Sequence, residues 1–217
     1  MRILLFGATG RTGKLILQKA LKDGHEVTAI VRDPSKLNDS NAKIIQGTPY
    51  DKETVKRAMN NCDFVISTLN VSRVSDNPWA KLRSPKDMIS RSIQNALEVM
   101  KENEVRRIIV MGVLGASKSW SKMPFIFRLV VSSSNLKYTF EDHTQQEELL
   151  AGSDSDWTVI RLPMLTNDES EKEIIVKTLN DNKKLNRKIN RESVARFILN
   201  ILKDENYYKS IVGISNK

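Results

Sequence analysis

The chain has 217 residues, of which 40% are hydrophobic and 28% are charged, and this composition excludes a disordered or fibrous protein. The single cysteine, Cys62, excludes a disulfide framework, and two histidines leave almost no room for a histidine-built metal centre. The net charge of +9 comes from basic residues interspersed with acidic ones, which predicts solvated faces instead of a nucleic-acid groove.

Short apolar runs alternate with longer amphipathic stretches along the whole chain. In the first half of the chain we predict, in order, a strand at Ile3–Phe6, a helix at Arg11–Lys22, strands at Val27–Val31 and Lys43–Gln46, a helix at Asp51–Met59, a strand at Phe64–Ile66 and a helix at Ser84–Glu102. In the second half we predict a strand at Arg107–Met111, a helix at Leu136–Ala151, a strand at Trp157–Arg161, a strand pair around Glu173–Lys177, a helix at Arg191–Lys203 and a strand at Ser210–Ile214. Asp51 is expected to cap the second helix, and Ser84 with Pro85 to open the third.

This order of elements predicts a doubly wound α/β fold. The strands are continuous apolar runs, which is typical of a parallel sheet covered by helices on both faces. We expect the strand order 3-2-1-4-5-6. No linker or repeat divides the chain, so residues 1–217 are predicted to form a single domain with a small C-terminal elaboration on the substrate side. No apolar run is long enough to span a membrane or to serve as a secretory signal, which predicts a cytoplasmic protein.

A glycine-rich turn, Gly7-Ala8-Thr9-Gly10-Arg11-Thr12-Gly13, lies between the first strand and the first helix. Gly7 lets the chain leave the strand in a tight turn, Gly10 lets a diphosphate approach the backbone, and Gly13 lets the helix pack close to the sheet. The amide groups at the start of the helix would then face the diphosphate. The turn therefore predicts a dinucleotide site to which Thr9, Arg11 and Thr12 also contribute.

The end of the second strand indicates which dinucleotide binds. An acidic residue there would select NAD by accepting the ribose 2′-hydroxyl, but this chain has Arg32. Arg32 and Lys36 can neutralise a 2′-phosphate, with Ser35 and Arg11 as further donors. We therefore expect NADP(H) to be preferred, although NAD(H) remains possible because Asp33 could still reach a hydroxyl.

The chain resembles the atypical short-chain dehydrogenases/reductases, in particular the NmrA-like and biliverdin/flavin reductase group. The segments that carry the resemblance are Gly7–Gly13, Val31–Pro34, Asp63–Ser67, Arg107–Ala116, Asp156–Pro163 and Ile189–Ala195. They extend over almost the whole chain, and they are more specific for fold and cofactor than for substrate. The resemblance implies a Rossmann-like fold that binds NAD(P)H.

The same resemblance extends the cofactor site to the ends of the later strands. Thr48 follows the third strand, where family members often have an aspartate that contacts adenine. Leu69 and Asn70 follow the fourth strand, where glycine is frequent. Met111 and Gly112 lie at the fifth strand, and either Gly112 or Val113 replaces a serine that members often have.

The main departure from the family concerns the catalytic pair. Classical members use Tyr-x-x-x-Lys, whereas Thr139 and His143 stand at the matching positions here. His143 resembles a histidine of the biliverdin/flavin reductase branch, which makes it the candidate catalytic residue. The alternative is that His143 is a histidine on the surface of its helix.

Three functions remain open from the sequence. The first is an NADPH-dependent reductase that transfers a hydride to a conjugated small-molecule acceptor such as a flavin or a quinone. The second is an NmrA-like redox sensor that binds NAD(P) without turnover. The third, an epimerase or dehydratase acting on a nucleotide sugar, would need the missing tyrosine. We expect a monomer or homodimer with neither a nucleic-acid nor a membrane partner, and no bound metal.

Overall fold

The computed structural model describes residues 1–37, 40–178, 181 and 183–217. The strands are β1 (Arg2–Phe6), β2 (Glu26–Val31), β3 (Lys43–Gln46), β4 (Phe64–Ser67), β5 (Arg107–Val113), β6 (Asp156–Leu162), β7 (Met164–Thr166), β8 (Ile174–Thr178), β9 (Lys188–Asn190) and β10 (Ser210–Asn216). The helices are α1 (Arg11–Lys22), α2 (Lys52–Met59), α3 (Met88–Glu102), α4 (Phe125–Ser132), α5 (Leu136–Ala151) and α6 (Arg191–Asn200). Short 3₁₀ turns lie at Pro34–Leu37, Ser117–Lys122 and Glu205–Tyr207.

The main sheet has the order β3-β2-β1-β4-β5-β6-β10-β8. Every pairing from β3 to β10 is parallel, and only β8 runs antiparallel to its neighbour β10. The predicted order 3-2-1-4-5-6 is therefore confirmed, as is the Rossmann-like doubly wound fold. The two C-terminal strands extend the sheet, and the short pair β7–β9 forms a separate two-stranded sheet.

Alternate residues of the central strands fill two cores on opposite faces of the sheet. Ile3 and Leu5 of β1 pack into the core beneath α1 and α6, whereas Leu4 and Phe6 pack into the core beneath α2 and α3. A strand that is buried on both faces has no polar alternation, which is why the strands were recognisable as apolar runs. None of the helices in the described part of the chain is long and apolar enough to cross a bilayer.

Helix α3 begins at Met88, so the prediction that Ser84 and Pro85 open it was wrong. The amides of Ile89 and Ser90 donate to the carboxylate of Asp142, at 2.7 and 2.9 Å, and Asp142 comes from α5. Ser84 instead accepts a hydrogen bond from the amide of Ser72. A cap supplied from a distant helix fixes the start of α3, and no local sequence pattern reports it.

Two further differences concern elements that follow β5 and β6. Helix α4 and the β7–β9 pair have no counterpart among the predictions. Helix α6 ends at Asn200, three residues before the predicted end at Lys203. By contrast α2 begins as predicted, because Asp51 accepts a hydrogen bond from the amide of Thr54 at 3.1 Å.

Arg107, at the start of β5, ties the end of α6 to the sheet although its side chain is only 3% exposed. Its guanidinium donates to the carbonyls of Ile201 and Leu202, each at 3.0 Å, and to the carbonyl of Asp156 and the hydroxyl of Thr158, each at 2.7 Å. Burial lowers the pKa of Arg107 to about 10, which still leaves it charged at neutral pH.

We expect Arg107→Met to lower the free energy of unfolding by about 3–5 kcal/mol, because it leaves buried carbonyl groups without donors. Urea unfolding followed by circular dichroism measures this. The matched control is Arg106→Met, since the neighbouring arginine has a side chain that is 70% exposed. That variant should lose less than about 1 kcal/mol, and equal losses in the two variants would contradict the anchoring role of Arg107.

Candidate functional site

The carboxyl ends of five parallel strands meet at one edge of the sheet. Because β3, β2, β1, β4 and β5 are parallel neighbours, the segments that follow them emerge side by side. The predicted cofactor residues lie in these segments, from the glycine loop after β1 to Arg32 after β2, Thr48 after β3, Leu69 and Asn70 after β4, and Met111 and Gly112 in the last part of β5. The fold thus brings residues that are distant in sequence to one edge.

The glycine loop depends on a close approach between its two ends. Gly7 has a φ of +80°, and its carbonyl accepts a hydrogen bond from the amide of Gly10 at 2.9 Å. A Cβ atom added to Gly13 would lie 2.1 Å from the carbonyl oxygen of Gly7. A side chain at Gly13 would therefore push the start of α1 away from the end of β1.

The start of α1 is open to a ligand. Gly10 is its N-cap, and within the described residues no side chain caps the helix and no acidic residue stands in its first turn. Apart from its chain neighbours, a Cβ atom added to Gly10 would meet only the carbonyl oxygen of Gly7, at 3.2 Å, among the described residues, so the space beside Gly10 is largely open. Free amides and a positive helix dipole at an exposed glycine are the features of an anion site.

Three threonines, Thr9, Thr12 and Thr68, lie at the glycine turn. Thr12 is 5% exposed, and Thr9 is partly buried. Thr68, which the sequence analysis did not single out, donates its hydroxyl to the carbonyl of Phe6 at 3.0 Å and lies against Gly7. Thr68 therefore fixes the end of β1 against the end of β4.

The segment after β2 places basic side chains in solvent. Arg32 and Lys36 are exposed. The amide and the hydroxyl of Ser35 both donate to Asp33, at 3.2 and 2.7 Å, and the hydrogen bond from the hydroxyl lowers the pKa of the Asp33 carboxyl. Asp33 is thus engaged within its own turn. Lys14, which the sequence analysis missed, lines a cleft of about 380 Å³ together with Ser35 and Lys36.

Arg11 already has a partner. Its guanidinium donates to both carboxylate oxygens of Asp76, at 2.9 and 3.3 Å, and both side chains are well exposed. Asp76 lies in the long segment after β4, so the pair joins this segment to the glycine loop. Arg11 can bind an anionic ligand only if its guanidinium contacts the ligand and Asp76 together, or if its ion pair with Asp76 breaks.

His143 is buried, with 4% of its surface exposed, so the alternative that it lies on the helix surface is wrong. The Nε2 atom of Gln146 donates to the carbonyl of Met111 at 3.1 Å and lies 3.3 Å from Nδ1 of His143. Because the Met111 carbonyl fixes the orientation of this amide, Nδ1 of His143 accepts and Nε2 carries the proton. Gln146 is a positioning residue, and its i+3 spacing from His143 on a predicted helix was the signal that could have found it.

Burial lowers the pKa of His143 to about 4. The imidazole is therefore neutral near pH 7, which argues against proton donation by an imidazolium and leaves the neutral Nε2–H as a hydrogen-bond donor. Nε2 makes no hydrogen bond to the residues that the structure describes. Thr139, one turn earlier on α5, has a buried hydroxyl that likewise lacks a partner among them.

A buried ion pair supports the same helix. Arg161 of β6 donates from Nε and Nη2 to the two carboxylate oxygens of Glu147, at 2.8 and 2.7 Å, and both side chains are less than 9% exposed. A bidentate pair of this kind holds α5 in register with β6. The contact of Gln146 with β5 and the ion pair of Glu147 with β6 thus fix the position of His143 on α5.

An open helix start after the first strand of a doubly wound sheet defines a Rossmann-like dinucleotide-binding protein. The chain belongs to the NAD(P)H-binding family, which matches it over residues 7–205. The NAD(P)H binding that the resemblance implied is therefore confirmed at the level of the family. The described residues contain no cluster of three metal-ligating side chains.

Curated relatives match parts of the chain. The uncharacterized protein YwnB of Bacillus subtilis is 48% identical over 116 residues, which are 54% of this chain and 49% of YwnB. Eugenol synthase 1 of Petunia hybrida is 34% identical over 86 residues, 35% of this chain and 28% of the synthase. The photosystem II assembly factor Ycf39 of Synechocystis is 25% identical over 147 residues, 64% of this chain and 43% of the factor. The chain thus spans less than half the length of each relative.

Solved structures match the whole chain at low identity. The anaerobilin reductase ChuY of Escherichia coli O157:H7 has a TM-score of 0.80 at 19% identity, covering 100% of this chain and 97% of ChuY. A short-chain dehydrogenase/reductase of Veillonella parvula, solved in complex with NADP, has a TM-score of 0.77 at 16% identity, covering 99% of this chain and 94% of its own. These likenesses show the fold.

We expect the imidazole resonances of His143 to stay constant between pH 8 and pH 5.5 in an NMR titration, because the pKa of about 4 keeps the ring neutral. His25, the second histidine, is partly exposed and serves as the internal reference, and its partial burial lowers its pKa from the ordinary value. Titration of His143 together with His25 would contradict the buried neutral state.

The same shift has a consequence for stability. Between pH 6.5 and pH 4 the unfolded chain binds a proton at this histidine and the folded chain does not. The free energy of unfolding should therefore fall through this range as the pH decreases, by up to about 3 kcal/mol. The decrease should be smaller in His143→Asn.

Proposed function

We propose that the protein is an NADPH-preferring reductase that delivers a hydride to a conjugated acceptor such as a flavin or a quinone. The observation that carries the proposal is the uncapped start of α1 beside Gly10, at the edge where the ends of five strands meet. Members of the same family and structural neighbours include reductases, among them the anaerobilin reductase. The preference for NADPH and the class of acceptor are inferred from the side chains around this edge.

The free amides after Gly10 would hold the diphosphate, and the exposed space beside Gly10 would admit it. Thr9, Thr12 and Arg11 would add donors around the loop. Thr48 after β3, Leu69 and Asn70 after β4, and Met111 and Gly112 in β5 would line the rest of the bound dinucleotide. When bound, the reduced cofactor supplies the hydride, whereas the protein supplies position and electrostatic environment.

Arg32 and Lys36 favour the 2′-phosphate form of the cofactor. Both are exposed side chains, and Lys14 adds a third positive charge beside the cleft that Lys36 lines. Asp33, the acid that could have accepted a ribose hydroxyl, is engaged by Ser35. A site with exposed cations, whose acid already accepts two hydrogen bonds from Ser35, fits a phosphate better than a hydroxyl pair.

We expect NADPH to bind more tightly than NADH, and Arg32→Ala to weaken NADPH about 10- to 150-fold while NADH binding changes little, because one charge-assisted contact is lost. Fluorescence titration of each cofactor measures both dissociation constants. Arg106→Ala removes the same charge from the opposite edge of the sheet and should leave both constants unchanged. Equal affinity of the parent protein for the two cofactors would refute the preference.

The residues on α5 favour acceptors that do not need a strong proton donor. Thr139 and His143 replace the tyrosine and lysine of classical members, and the neutral His143 offers a hydrogen bond without a readily released proton. A flavin or quinone spreads the incoming negative charge over its ring system and takes its proton from water. A positioned Nε2–H donor stabilises that developing charge.

We expect acceptor-dependent oxidation of NADPH with riboflavin or menadione, followed by absorbance, and a loss of roughly 10²-fold in His143→Asn because the Nε2–H donor is removed. The difference between parent and variant should not change from pH 5.5 to pH 8, since His143 does not titrate there. His25→Asn is the matched control and should retain the parent rate. An unchanged rate in His143→Asn would remove His143 from the reaction and leave the reductase standing.

A second candidate is a sensor that binds NAD(P)H without turnover. The observation that favours it is the replacement of the classical pair by Thr139 and His143, which removes the usual proton donor. Tight binding of NADPH with no oxidation by any flavin or quinone would establish the sensor in place of the reductase.

A further inference from the structure

Helix α4 presents an apolar face to solvent. Phe125, Ile126 and Leu129 are 70%, 75% and 59% exposed, and on a helix they fall within an arc of about 100°. A helix that faces water carries charged or polar residues on this side. The outward face of α4 is therefore unlike that of an ordinary surface helix.

The opposite side of α4 holds the helix on the protein. Val131 is 1% exposed, and the ring of Phe127 packs edge-on against Phe140 of α5 at a centroid distance of 5.9 Å. Trp120, just before α4, packs against the same ring at 5.6 Å. Since these anchors already bury one side of the helix, the outward residues stay exposed, and the guanidinium of Arg128 lies 6.0 Å from the centre of the Phe125 ring.

The segment after β4 extends the apolar face. Trp79 and Val74 are 57% and 51% exposed. The indole nitrogen of Trp79 donates to the carbonyl of Ser133 at the end of α4, at 3.0 Å, and the side-chain amide of Asn135 donates to the carbonyl of Trp79. These contacts join the two segments into one surface, which we call the loop surface and define by Val74, Trp79, Phe125, Ile126 and Leu129.

The segments that carry the loop surface are strongly basic. Thr68 to Asp87 contains four basic and two acidic residues, and Leu114 to Asn135 contains three basic and no acidic residues. One of the two acids, Asp76, is paired with Arg11, and the other, Asp87, accepts a hydrogen bond from Tyr50. Exposed aromatic and aliphatic side chains among basic ones are the combination that binds an anionic lipid surface.

We propose that the loop surface docks on anionic lipid bilayers, with Phe125, Ile126, Leu129 and Trp79 entering the headgroup boundary and the exposed Lys81, Arg83 and Lys86 facing the lipid phosphates. A second copy of the chain is disfavoured, because a two-fold contact would place this basic surface against itself. The sequence led us to expect no membrane partner, because it has no apolar run that could span a bilayer. Peripheral docking needs no spanning helix, and none is found among the described residues.

The docked orientation would bring the cofactor edge near the bilayer. Both segments of the loop surface follow the carboxyl ends of β4 and β5, the edge at which the glycine loop lies. An acceptor dissolved in the bilayer, such as a quinone, would then approach from the membrane side. Docking itself does not depend on the proposed reductase, and it is tested without turnover.

The experiment is sedimentation of the full chain with vesicles of phosphatidylcholine and phosphatidylglycerol in equal parts, compared with phosphatidylcholine alone. We expect binding to the anionic vesicles only, and release in 0.5 M salt because the ionic attraction is screened. Ile126→Asp should weaken vesicle binding at least about tenfold, and Ile126→Leu should retain it. Lys81→Glu with Arg83→Glu should also weaken binding about tenfold.

The charge control is Lys101→Glu with Lys203→Glu, which makes the same change at the amino edge of the sheet, in the last turn of α3 and just after α6. This control should bind like the parent, and thermal unfolding followed by circular dichroism reports that each variant is folded. Failure of the parent to bind anionic vesicles, or undiminished binding by Ile126→Asp, would overturn the proposal. So would light scattering that shows a dimer which Ile126→Asp dissociates, since that result assigns the surface to a second copy.

Discussion

The contact between Gly13 and the carbonyl of Gly7 determines where the site lies. A Cβ atom at Gly13 would sit 2.1 Å from that oxygen, so the start of α1 reaches the end of β1 only because the side chain is missing. Once this contact is made, the free amides of α1 lie at the carboxyl edge of the sheet, between the segments that follow β2 and β4. A shift of the helix would move the anion site away from Arg32 and from Asn70 together.

Helix α5 carries the candidate catalytic residue, His143. Asp142 caps α3, Glu147 pairs with Arg161, and Gln146 joins His143 to the carbonyl of Met111, so one face of α5 is fixed by polar contacts in three directions. These contacts keep His143 dry and neutral, with its Nε2–H as the donor. Asp142 is also buried, and this burial raises the pKa of its carboxyl, while the backbone amides of Ile89 and Ser90 favour its ionised form.

The elements that depend on local pattern were predictable, and those that depend on distant partners were not. The glycine loop, α1 and α2 follow from glycine spacing, helical periodicity and the Asp51 cap, and the structure agrees with each. Helix α3 started later than predicted because its cap is Asp142 from another helix. Helix α4 was missed because its residues are apolar on both the buried and the exposed side, which removes the periodicity that marks a surface helix. The burial of His143 and its contact with Gln146 depend on tertiary packing, which a single sequence does not determine.

The central claim is that the space beside Gly10 admits the diphosphate of a dinucleotide. Gly10→Val tests it most directly, because a φ of −75° suits a residue with a side chain and an added Cβ atom would meet only the carbonyl oxygen of Gly7, at 3.2 Å, a close contact that requires a small shift of the loop. The measurement is the dissociation constant for NADPH in the parent and in Gly10→Val, with thermal unfolding as the check on folding. We expect Gly10→Val to remain folded, with at most a small decrease in unfolding temperature, and to lose NADPH binding at least about 100-fold, equivalent to about 2.7 kcal/mol. Parent-like affinity in a folded Gly10→Val protein would contradict it.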